Sequence, residues 1–351
     1  GRAGKDTLNG RGGADTLDGG AGADTLTGGA GDDRFIFTPG YGADTITDFA
    51  AGAGTGDKID LIRFTNIHSL AGVLAHATES AGSTTTNFGN GDTLTLQNVS
   101  IASLTADDFV LNPLPTDFNA DGKSDVLWQN DNGRVSIWEM NGASVISNPT
   151  LGANPGPAWH VIGGGDFNAD GHADILWQND NGAASIWEMD GASVISNPTL
   201  ATNPGPAWHA IGTGDFNADG HSDILWQNDN GAVSIWEMDG ASVLANSTLS
   251  VNPGPSWHAI GAGDFNADNK SDILWQNDSG AVSIWEMDGA SVLANPTLAT
   301  NPGSSWHVKD AGDFNADGMS DILWQNTNGA VSIWEMNGAS VITNPTLATN
   351  P

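Results

Sequence analysis

Residues 166–214 read DFNADGHADILWQNDNGAASIWEMDGASVISNPTLATNPGPAWHAIGTG, and this 49-residue stretch decides the fold. Each unit has four short segments that alternate apolar and polar residues, and the turns between them, Asp-Asn-Gly and Asp-Gly, tolerate positive φ. One such set of segments is Trp159–Gly163, Asp174–Gln178, Ala184–Met189 and Ala192–Ile195. Near-identical copies start at Asp117, Asp166, Asp215, Asp264 and Asp313. Four strands per unit at this period predict the blades of a β-propeller, with an open β-solenoid as the alternative.

The copies give five blades, but the last copy stops before its Trp-His strand. Counting back one 49-residue period from Trp159 reaches Val110. Phe109–Asn112 could therefore supply the missing strand and close a five-bladed ring. A cut through a longer array fits the same sequence, and both alternatives are open at this stage.

Each unit opens with an acidic loop, as in Asp117-Phe-Asn-Ala-Asp-Gly-Lys-Ser-Asp125. Side-chain oxygens at loop positions 1, 3, 5 and 9, with Gly at position 6, match the spacing of a calcium loop that lacks the helices of an EF-hand. One copy has Asn269 in place of Gly, and Asn also visits the left-handed region. Plain Asx turns are the alternative. The predicted ligands are Asp117, Asn119, Asp121, Asp125, Asp166, Asn168, Asp170, Asp174, Asp215, Asn217, Asp219, Asp223, Asp264, Asn266, Asp268, Asp272, Asp313, Asn315, Asp317 and Asp321.

A second repeat fills residues 1–36, which read GRAGKDTLN, GRGGADTLD, GGAGADTLT and GGAGDDRFI. Gly allows left-handed turns and exposes its carbonyls, Asp supplies a carboxylate, and the apolar eighth residue points inward from a short strand. Successive nonapeptides should therefore stack as a parallel β-roll. A shifted fifth copy contains Asp44. The predicted metal ligands of the roll are Asp6, Asp15, Asp24, Asp33 and Asp44.

These four in-phase copies resemble the RTX, or hemolysin-type, calcium-binding repeat. The resemblance implies Ca2+ as the cofactor, passage through the type I secretion machinery and an extracellular location. A disordered linker rich in Gly and Asp is the alternative. Because stacked carboxylates repel and each turn buries little apolar area, we expect folding of this segment to be coupled to metal binding.

Residues 34–112 resemble the C-terminal calcium-binding and secretion region of serralysin-type metalloproteases, through DTITDF at residues 44–49 and DKIDL at residues 57–61. The zinc motif His-Glu-x-x-His is absent from the sequence at both His68 and His76, so proteolysis does not carry over. Strands are expected at Thr45–Phe49, Lys58–Ile62 and Thr93–Gln97. The predicted domains are a roll at 1–48, a β cap at 49–112 and a propeller at 113–351.

The propeller loops are similar to those of FG-GAP/VCBS repeats in integrin-like β-propellers, although the literal Phe-Gly and Gly-Ala-Pro strings are absent. All 14 Trp lie in the units, in three series. The first two series, which include Trp177 and Trp187, are expected to pack between blades. The third series resembles the layout of tachylectin-type and bacterial propeller lectins, where an exposed indole stacks on a sugar. The candidate ligand-binding residues are Trp159, His160, Trp208, His209, Trp257, His258, Trp306 and His307.

Composition excludes several classes of function. Lys plus Arg total 10 against 42 Asp plus Glu, and the net charge of -32 repels nucleic acid and anionic membranes. With no Cys there are no disulfides or thiolate sites, and no apolar stretch is long enough for membrane insertion as a helix. The sequence begins inside a repeat, so we expect it to be a piece of a longer chain.

No nucleophile and base constellation, P-loop or dinucleotide fingerprint is present in the sequence, and we expect no enzyme. The leading hypothesis is a secreted bacterial calcium-binding protein whose propeller binds surfaces, with glycans or other cell-surface components as partners. One alternative is the non-catalytic C-terminal part of a larger secreted hydrolase such as a metalloprotease. The other is a structural surface or matrix protein.

Overall fold

The computed structural model describes residues 1–52, 56–61, 63–64, 67, 70–111, 114–315 and 317–347, without the side chains of residues 71 and 106. The expected fold class, all-β with a parallel β-roll and a propeller of five 49-residue units, is confirmed. His68, Asn112 and the last residue of the expected strand Lys58–Ile62 lie outside the described residues. No helix in the described ranges is long and apolar enough to cross a membrane.

The N-terminal part consists of two sheets and short helical segments. Its elements are β1 (Thr7–Gly12), β2 (Thr16–Asp18), β3 (Thr25–Ala30), β4 (Arg34–Ile36), β5 (Ala43–Ile46), β6 (Lys58–Asp60), α1 (Leu70–Ala75), β7 (Ala77–Ser80), β8 (Ser83–Gly89), β9 (Asp92–Leu96), β10 (Phe109–Val110) and two 3-10 turns at Ile101–Ser103 and Ala106–Asp108. One sheet has the order β1-β3-β5-β9-β8-β7 and the other β10-β6-β4-β2. The repeats alternate between the sheets, so parallel neighbours such as Leu8 and Leu26 come from every second nonapeptide.

The apolar eighth position of the nonapeptide forms the core of the roll. Leu17, Leu26 and Phe35 are buried, together with Ile46 from the shifted copy. The same core runs on through β6 and β9 as far as Leu111, so no separate core marks the predicted boundary between residues 48 and 49.

The described residues of the propeller form 19 strands in five blades. Blade 1 contains β11 (Val126–Gln129), β12 (Val135–Asn141) and β13 (Ser144–Ser147), and blade 2 contains β14 (Trp159–Gly165), β15 (Asp174–Asn179), β16 (Ala184–Asp190) and β17 (Ser193–Ser196). Blade 3 contains β18 (Trp208–Gly214), β19 (Asp223–Asn228), β20 (Val233–Asp239) and β21 (Ser242–Thr248), and blade 4 contains β22 (Trp257–Gly263), β23 (Asp272–Asn277), β24 (Val282–Asp288) and β25 (Ser291–Ala294). Blade 5 contains β26 (Trp306–Gly312), β27 (Asp321–Asn326), β28 (Val331–Asn337) and β29 (Ser340–Thr343). Each blade is an antiparallel sheet in sequence order.

In the described residues blade 1 has no strand equivalent to β14, and the expectation that Phe109–Asn112 supply it is wrong for Phe109 and Val110, while Asn112 lies outside the described residues. Phe109 and Val110 form β10, which pairs in parallel with Ile59 and Asp60 of the roll. The physical reason is that the Phe109 side chain is buried in the core of the roll. Thr116 occupies the position at which the missing strand would end, since the Asp125 amide donates to the Thr116 carbonyl over 2.8 Å.

Adjacent blades are joined by apolar clusters that bury the first two Trp series in blades 2 to 5, whereas the expected packing is wrong for Trp128 and Trp138 of blade 1, which are exposed. Between blades 1 and 2, Phe118 and Ile137 pack against Trp177 and Trp187, whose ring centroids lie 4.9 Å apart. A glutamine strengthens each junction, since the Gln178 side-chain amide donates to the Trp208 carbonyl of the next blade over 2.6 Å. Three further junctions of the same kind join the remaining blades.

Equivalent tryptophans differ in burial, which gives a direct test of where the stability of the propeller lies. Trp226 is fully buried, whereas Trp128 at the same position of blade 1 is 50% exposed. We expect Trp226→Ala to lower the free energy of unfolding by about 3–5 kcal/mol, because it opens a cavity between blades. Trp128→Ala should cost about 1 kcal/mol or less. Urea unfolding of both variants in dilute solution measures this, and equal losses would contradict the packing described here.

Candidate calcium sites

The aspartates of the roll form two columns that are held by backbone amides. In one column the Asp6 amide donates to Asp24 Oδ1 over 2.7 Å, and the Asp24 amide donates to Asp44 Oδ1 over 2.8 Å. The other column links Asp15 to Asp33 in the same way over 2.9 Å. The structure therefore brings the five predicted ligands of the roll into two stacked rows, one along each sheet.

The second carboxylate oxygen is left free in four of these residues. Oδ2 of Asp15, Asp24, Asp33 and Asp44 is buried and has no hydrogen-bond partner. Buried carboxylate oxygens are costly unless a cation or a donor satisfies them. Asp6 differs from the others, because its Oδ2 accepts the Arg2 amide over 3.0 Å.

Glycine is needed beside the free oxygens of Asp15, Asp24 and Asp33. A Cβ atom on Gly10 would lie 2.5 Å from Asp15 Oδ2 and 2.7 Å from the Gly28 carbonyl oxygen. A Cβ atom on Gly19 would lie 2.6 Å from Asp24 Oδ2. The space that glycine leaves open thus adjoins carboxylate and carbonyl oxygens, which are the donors that Ca2+ prefers. The residues of the roll fit calcium on this observation.

The electrostatics of the roll favour a bound cation. Burial, together with the negative charges of Asp24 and Asp92, raises the pKa of Asp44 to about 6. Burial also raises the pKa of Asp57, with a contribution from the charge of Asp33. A cation in the columns would oppose both effects, because it stabilises the charged form of each carboxylate.

Two further aspartates of the N-terminal part accept backbone amides, and the nonapeptide period identified neither; Asp57 continues the column of Asp15 and Asp33, and Asp92 binds two glycine amides. Asp57 Oδ1 accepts the Asp33 amide over 3.0 Å, and Asp57 Oδ2 accepts the Ala50 amide over 2.9 Å. Asp92 accepts the amides of Gly40 and Gly42 with its two oxygens. Both carboxylates are fully used by amides, unlike those of the four residues with a free Oδ2. The sequence DKIDL carried the only signal for Asp57.

The propeller loops gather three of their four predicted ligand positions. In blade 2 the Asp170 amide donates to Asp166 Oδ1 over 3.2 Å and to Asn168 Oδ1 over 3.1 Å, and the Gly171 amide donates to Asp166 Oδ2 over 2.9 Å. The loops that start at Asp117, Asp215, Asp264 and Asp313 repeat this pattern. Positions 1, 3 and 5 thus present only oxygen-bearing side chains to one tight turn, a donor set that suits a hard cation.

Position 9 has a different environment. Asp174 is fully buried, its Oδ2 accepts the Phe167 amide over 3.0 Å, and its Oδ1 accepts the Met189 amide over 2.9 Å. The carboxylate therefore ties the loop to β16 with both oxygens. Its assignment as a metal ligand stays a prediction. In the described part of the chain no three His, Asp or Glu side chains converge on one point, so a cation would also need amide or carbonyl oxygens.

Burial raises the pKa of the loop carboxyls. The pKa of Asp174 rises to about 8, where the nearby charge of Asp166 adds to burial, and the pKa of Asp166 itself rises to about 7 with a contribution from the charge of Asp170. In the other blades burial raises the pKa of Asp223 to about 8 and that of Asp272 to about 7. Without a cation, the charged form of these carboxyls is therefore higher in free energy in the folded chain than in water.

The Trp-His pairs lie at the first strand of blades 2 to 5. Trp159 is half-buried against the junction of blades 1 and 2, so its indole is not a free platform. The histidines are exposed, and three of them pair with an aspartate of the same blade: His160 Nε2 lies 2.7 Å from Asp180 Oδ1. The same pairing joins His209 to Asp229 and His258 to Asp278 over 2.8 Å. In blade 5 the equivalent partner position is Thr327, beside His307.

Two families of repeats match the chain. The model of the FG-GAP-like repeat matches residues 117–177, 166–226, 215–275 and 264–324, more than half of the chain. The model of the RTX calcium-binding nonapeptide repeat, in four copies, matches residues 1–35. The expected resemblances to RTX and FG-GAP repeats are thereby confirmed, and those to the serralysin C-terminal region and to propeller lectins stay predictions. The RTX repeats mark a calcium-binding repeat protein of the secreted kind.

Comparison with individual proteins adds little. No curated protein matches the chain. Among solved structures, the extracellular lipase LipA from Serratia marcescens is 26% identical over 30% of this chain, with a TM-score of 0.25. The chain spans 19% of the length of that lipase.

The raised pKa values of the loop carboxyls predict how metal-free stability depends on pH. A carboxyl whose pKa is raised by folding contributes its full stabilisation below about pH 4, the ordinary pKa of the group in the unfolded chain. This contribution is lost as the pH rises through the pKa of the group in the folded chain, which is about 8 for Asp174 and Asp223. In EDTA the melting temperature should therefore fall between about pH 5 and about pH 8. Scanning calorimetry measures this, with Ca2+ as the control that should reduce the fall. A melting temperature that rises over this range in EDTA would contradict the prediction.

Proposed function

Because this chain belongs to the FG-GAP-like repeat family and also carries RTX calcium-binding repeats, we propose that it is a secreted, non-catalytic binding module. It folds with several Ca2+ ions outside the cell and attaches to glycans or other cell-surface components through its propeller. The observation that carries the calcium part is the set of four buried, unpartnered Oδ2 atoms in the roll.

The two oxygens of each such carboxylate in the roll have different roles, one in fixing the fold and the other in binding a cation. Oδ1 of Asp24 accepts an amide from the turn below and fixes the carboxylate, while Oδ2 faces the space beside Gly19. Bound Ca2+ supplies the positive charge that such stacked oxygens need. Without it, the columns add repulsion to a chain of net charge -32, so the roll stays unfolded in low Ca2+ and suits export as an unfolded chain.

The rim of the propeller supports a binding role. The exposed pairs His160–Asp180, His209–Asp229 and His258–Asp278 offer the same donor and acceptor groups at three blades. A pocket of about 330 Å3 lies between blades 4 and 5 and is bordered by His258, Asp278, Trp306 and His307. Sugar hydroxyls suit such groups, and weak sites repeated along one array gain affinity by acting together. Repetition of the site also favours binding over catalysis.

Calcium-coupled folding is tested by titrating the EDTA-treated chain with Ca2+, using calorimetry together with circular dichroism. We expect several ions per chain and a gain in β-structure as they bind. Asp24→Asn should lose part of the bound calcium and shift the folding transition to higher Ca2+, because it removes charge beside a free oxygen. Asp131→Asn, which removes one charge from an exposed turn, is the matched control. A chain that is fully folded in EDTA and indifferent to millimolar Ca2+ would refute the coupling.

Glycan binding is tested on a glycan array in Ca2+. The triple variant His160→Ala, His209→Ala and His258→Ala should bind any retained glycan about tenfold more weakly or worse, since the repeated sites act together. His76→Ala changes an exposed histidine of the roll and should bind as the unmodified chain does. If no glycan binds, or if the triple variant binds normally, the rim is not the recognition surface.

A further inference from the structure

The outermost strand of blade 3 is longer than its equivalents in the other blades. In blades 1, 2, 4 and 5 this strand has four residues and is followed by Asn-Pro-Thr, with the prolines at Pro149, Pro198, Pro296 and Pro345. Blade 3 has Ser247 at this position, and β21 continues for seven residues. Residues 242–249 and 291–298 are otherwise identical, so one residue separates the long edge strand of blade 3 from the short one of blade 4.

The proline position faces the inner strand of its own blade. In blade 4 the Ile284 amide donates to the Pro296 carbonyl over 3.2 Å. Pro296 has no amide hydrogen with which to return this bond, and its ring fixes φ at about −65°, whereas an antiparallel strand needs about −140°. Ser247 has neither restriction and pairs with Ile235 in a continuous ladder. Proline on an edge strand also opposes pairing with foreign strands, and Ser247 removes that obstacle from blade 3.

The regular ladder of β21 sets the direction of its outer backbone groups. Because Ser247 and Ala245 face β20, the residues that alternate with them face the opposite side. The amides and carbonyls of Asn246 and Thr248 therefore point away from the blade. In the described part of the chain β21 is the last strand of its sheet, in the order β18-β19-β20-β21. These four groups form a template for one more antiparallel strand.

The side chains of β21 suit an extended partner. Leu244 is 60% exposed, and β21 contains no charged residue. An added strand with apolar side chains at alternate positions would cover Leu244 while its backbone pairs with the edge. Leu293 of blade 4 is exposed to the same extent, but it stands on a strand that ends at Pro296. Apolar exposure is thus common to both blades, and only blade 3 combines it with a continuous edge.

The charge around this edge is negative. Residues 135–269 contain 15 Asp and Glu and no Lys or Arg. Three of these acids lie close to β21 and belong to no calcium loop. Asp239 pairs with Ser242 in register, Glu237 pairs with Ala245, and Glu188 Oε1 lies 3.0 Å from the position of a Cβ atom on Gly240, in the turn that leads into β21. Bound Ca2+ would therefore leave their charge in place.

We propose that the outer edge of β21 binds an extended segment of another protein, with alternating apolar and Lys or Arg residues, as an added antiparallel strand. The backbone of the segment pairs with Asn246 and Thr248, its apolar side chains cover Leu244, and its cations face Glu188, Glu237 and Asp239. A second copy of this chain is a poorer occupant, because it would bring a further net charge of -32 to the contact. This site is separate from the Trp-His rim, so it does not depend on glycan binding.

The experiment is fluorescence anisotropy of a labelled, end-capped heptapeptide of alternating Lys and Val, titrated with the full chain in Ca2+. We expect saturable binding of about one peptide per chain that weakens as salt is added. The same peptide with its bonding amides N-methylated, and a peptide of alternating Glu and Val, should both bind at least about tenfold more weakly. The first loses the donors of the added strand, and the second loses the charge attraction.

Two variants of the chain exchange the edges of blades 3 and 4. Ser247→Pro should weaken peptide binding about tenfold or more, the loss expected for one or two backbone hydrogen bonds. It gives blade 3 the sequence that blade 4 already has, so the blade should keep its fold. Pro296→Ser should raise the number of bound peptides to about two, because it opens a second edge. Ser247→Thr keeps the amide and should bind as the unmodified chain does.

Three results would overturn the proposal. The first is a lack of binding by the Lys and Val peptide up to millimolar concentration. The second is equal binding by the unmodified chain and Ser247→Pro, both with the same circular dichroism spectrum, which would mean attraction by charge alone. The third is a dimer of the unmodified chain in sedimentation velocity that Ser247→Pro abolishes, which would make a second copy the occupant of the edge.

Discussion

The pairing of a buried aspartate with backbone amides is the interaction on which both halves of this chain depend. Asp has one methylene, so its carboxylate reaches the amides of its own tight turn or of the adjacent turn. In the roll, Asp33 Oδ1 holds the amide of Asp15 in the turn below. In the propeller, Asp174 ties the loop that begins each unit to β16, fifteen residues away. A longer Glu side chain would not fit either geometry, and only six of the 42 acidic residues are Glu.

Given these ties, the stability of the propeller comes from the junctions and not from the blades alone. Trp128 and Trp177 occupy the same position in nearly identical local sequences, yet one is half exposed and the other is fully buried. The difference is that Phe118 and Ile137 of blade 1 cover Trp177, whereas no described blade covers Trp128 in this way. A single blade cannot bury its apolar side chains, so stacked units depend on their nearest neighbours, as in other repeat proteins.

The sequence predicted what depends on period and much less of what depends on long-range contact. The two periods indicated the roll, the strands of each blade and the burial of Trp177 and Trp187, because alternation and repetition are local signals. The position of β10 could not be read in this way. Val110 lies one period before Trp159, but the neighbouring Phe109 is buried in the core of the roll. The repeat period of the propeller does not report this long-range contact. The role of Asp174 was hidden for a similar reason, since the Met189 amide that it accepts lies in another strand.

The same residue type therefore serves two purposes, which only the geometry separates. Both oxygens of Asp174 accept amides, so this residue acts as part of the scaffold. One oxygen of Asp24 accepts an amide, and the other is buried without a partner. Burial leaves Oδ2 of Asp24 without a hydrogen-bond partner, and a bound cation can supply the missing partner. The net charge of -32 further favours a cation at such a site. For this reason we expect the fold of the roll to depend on the calcium content of its surroundings, while both oxygens of Asp174 in the propeller accept amides of the chain itself.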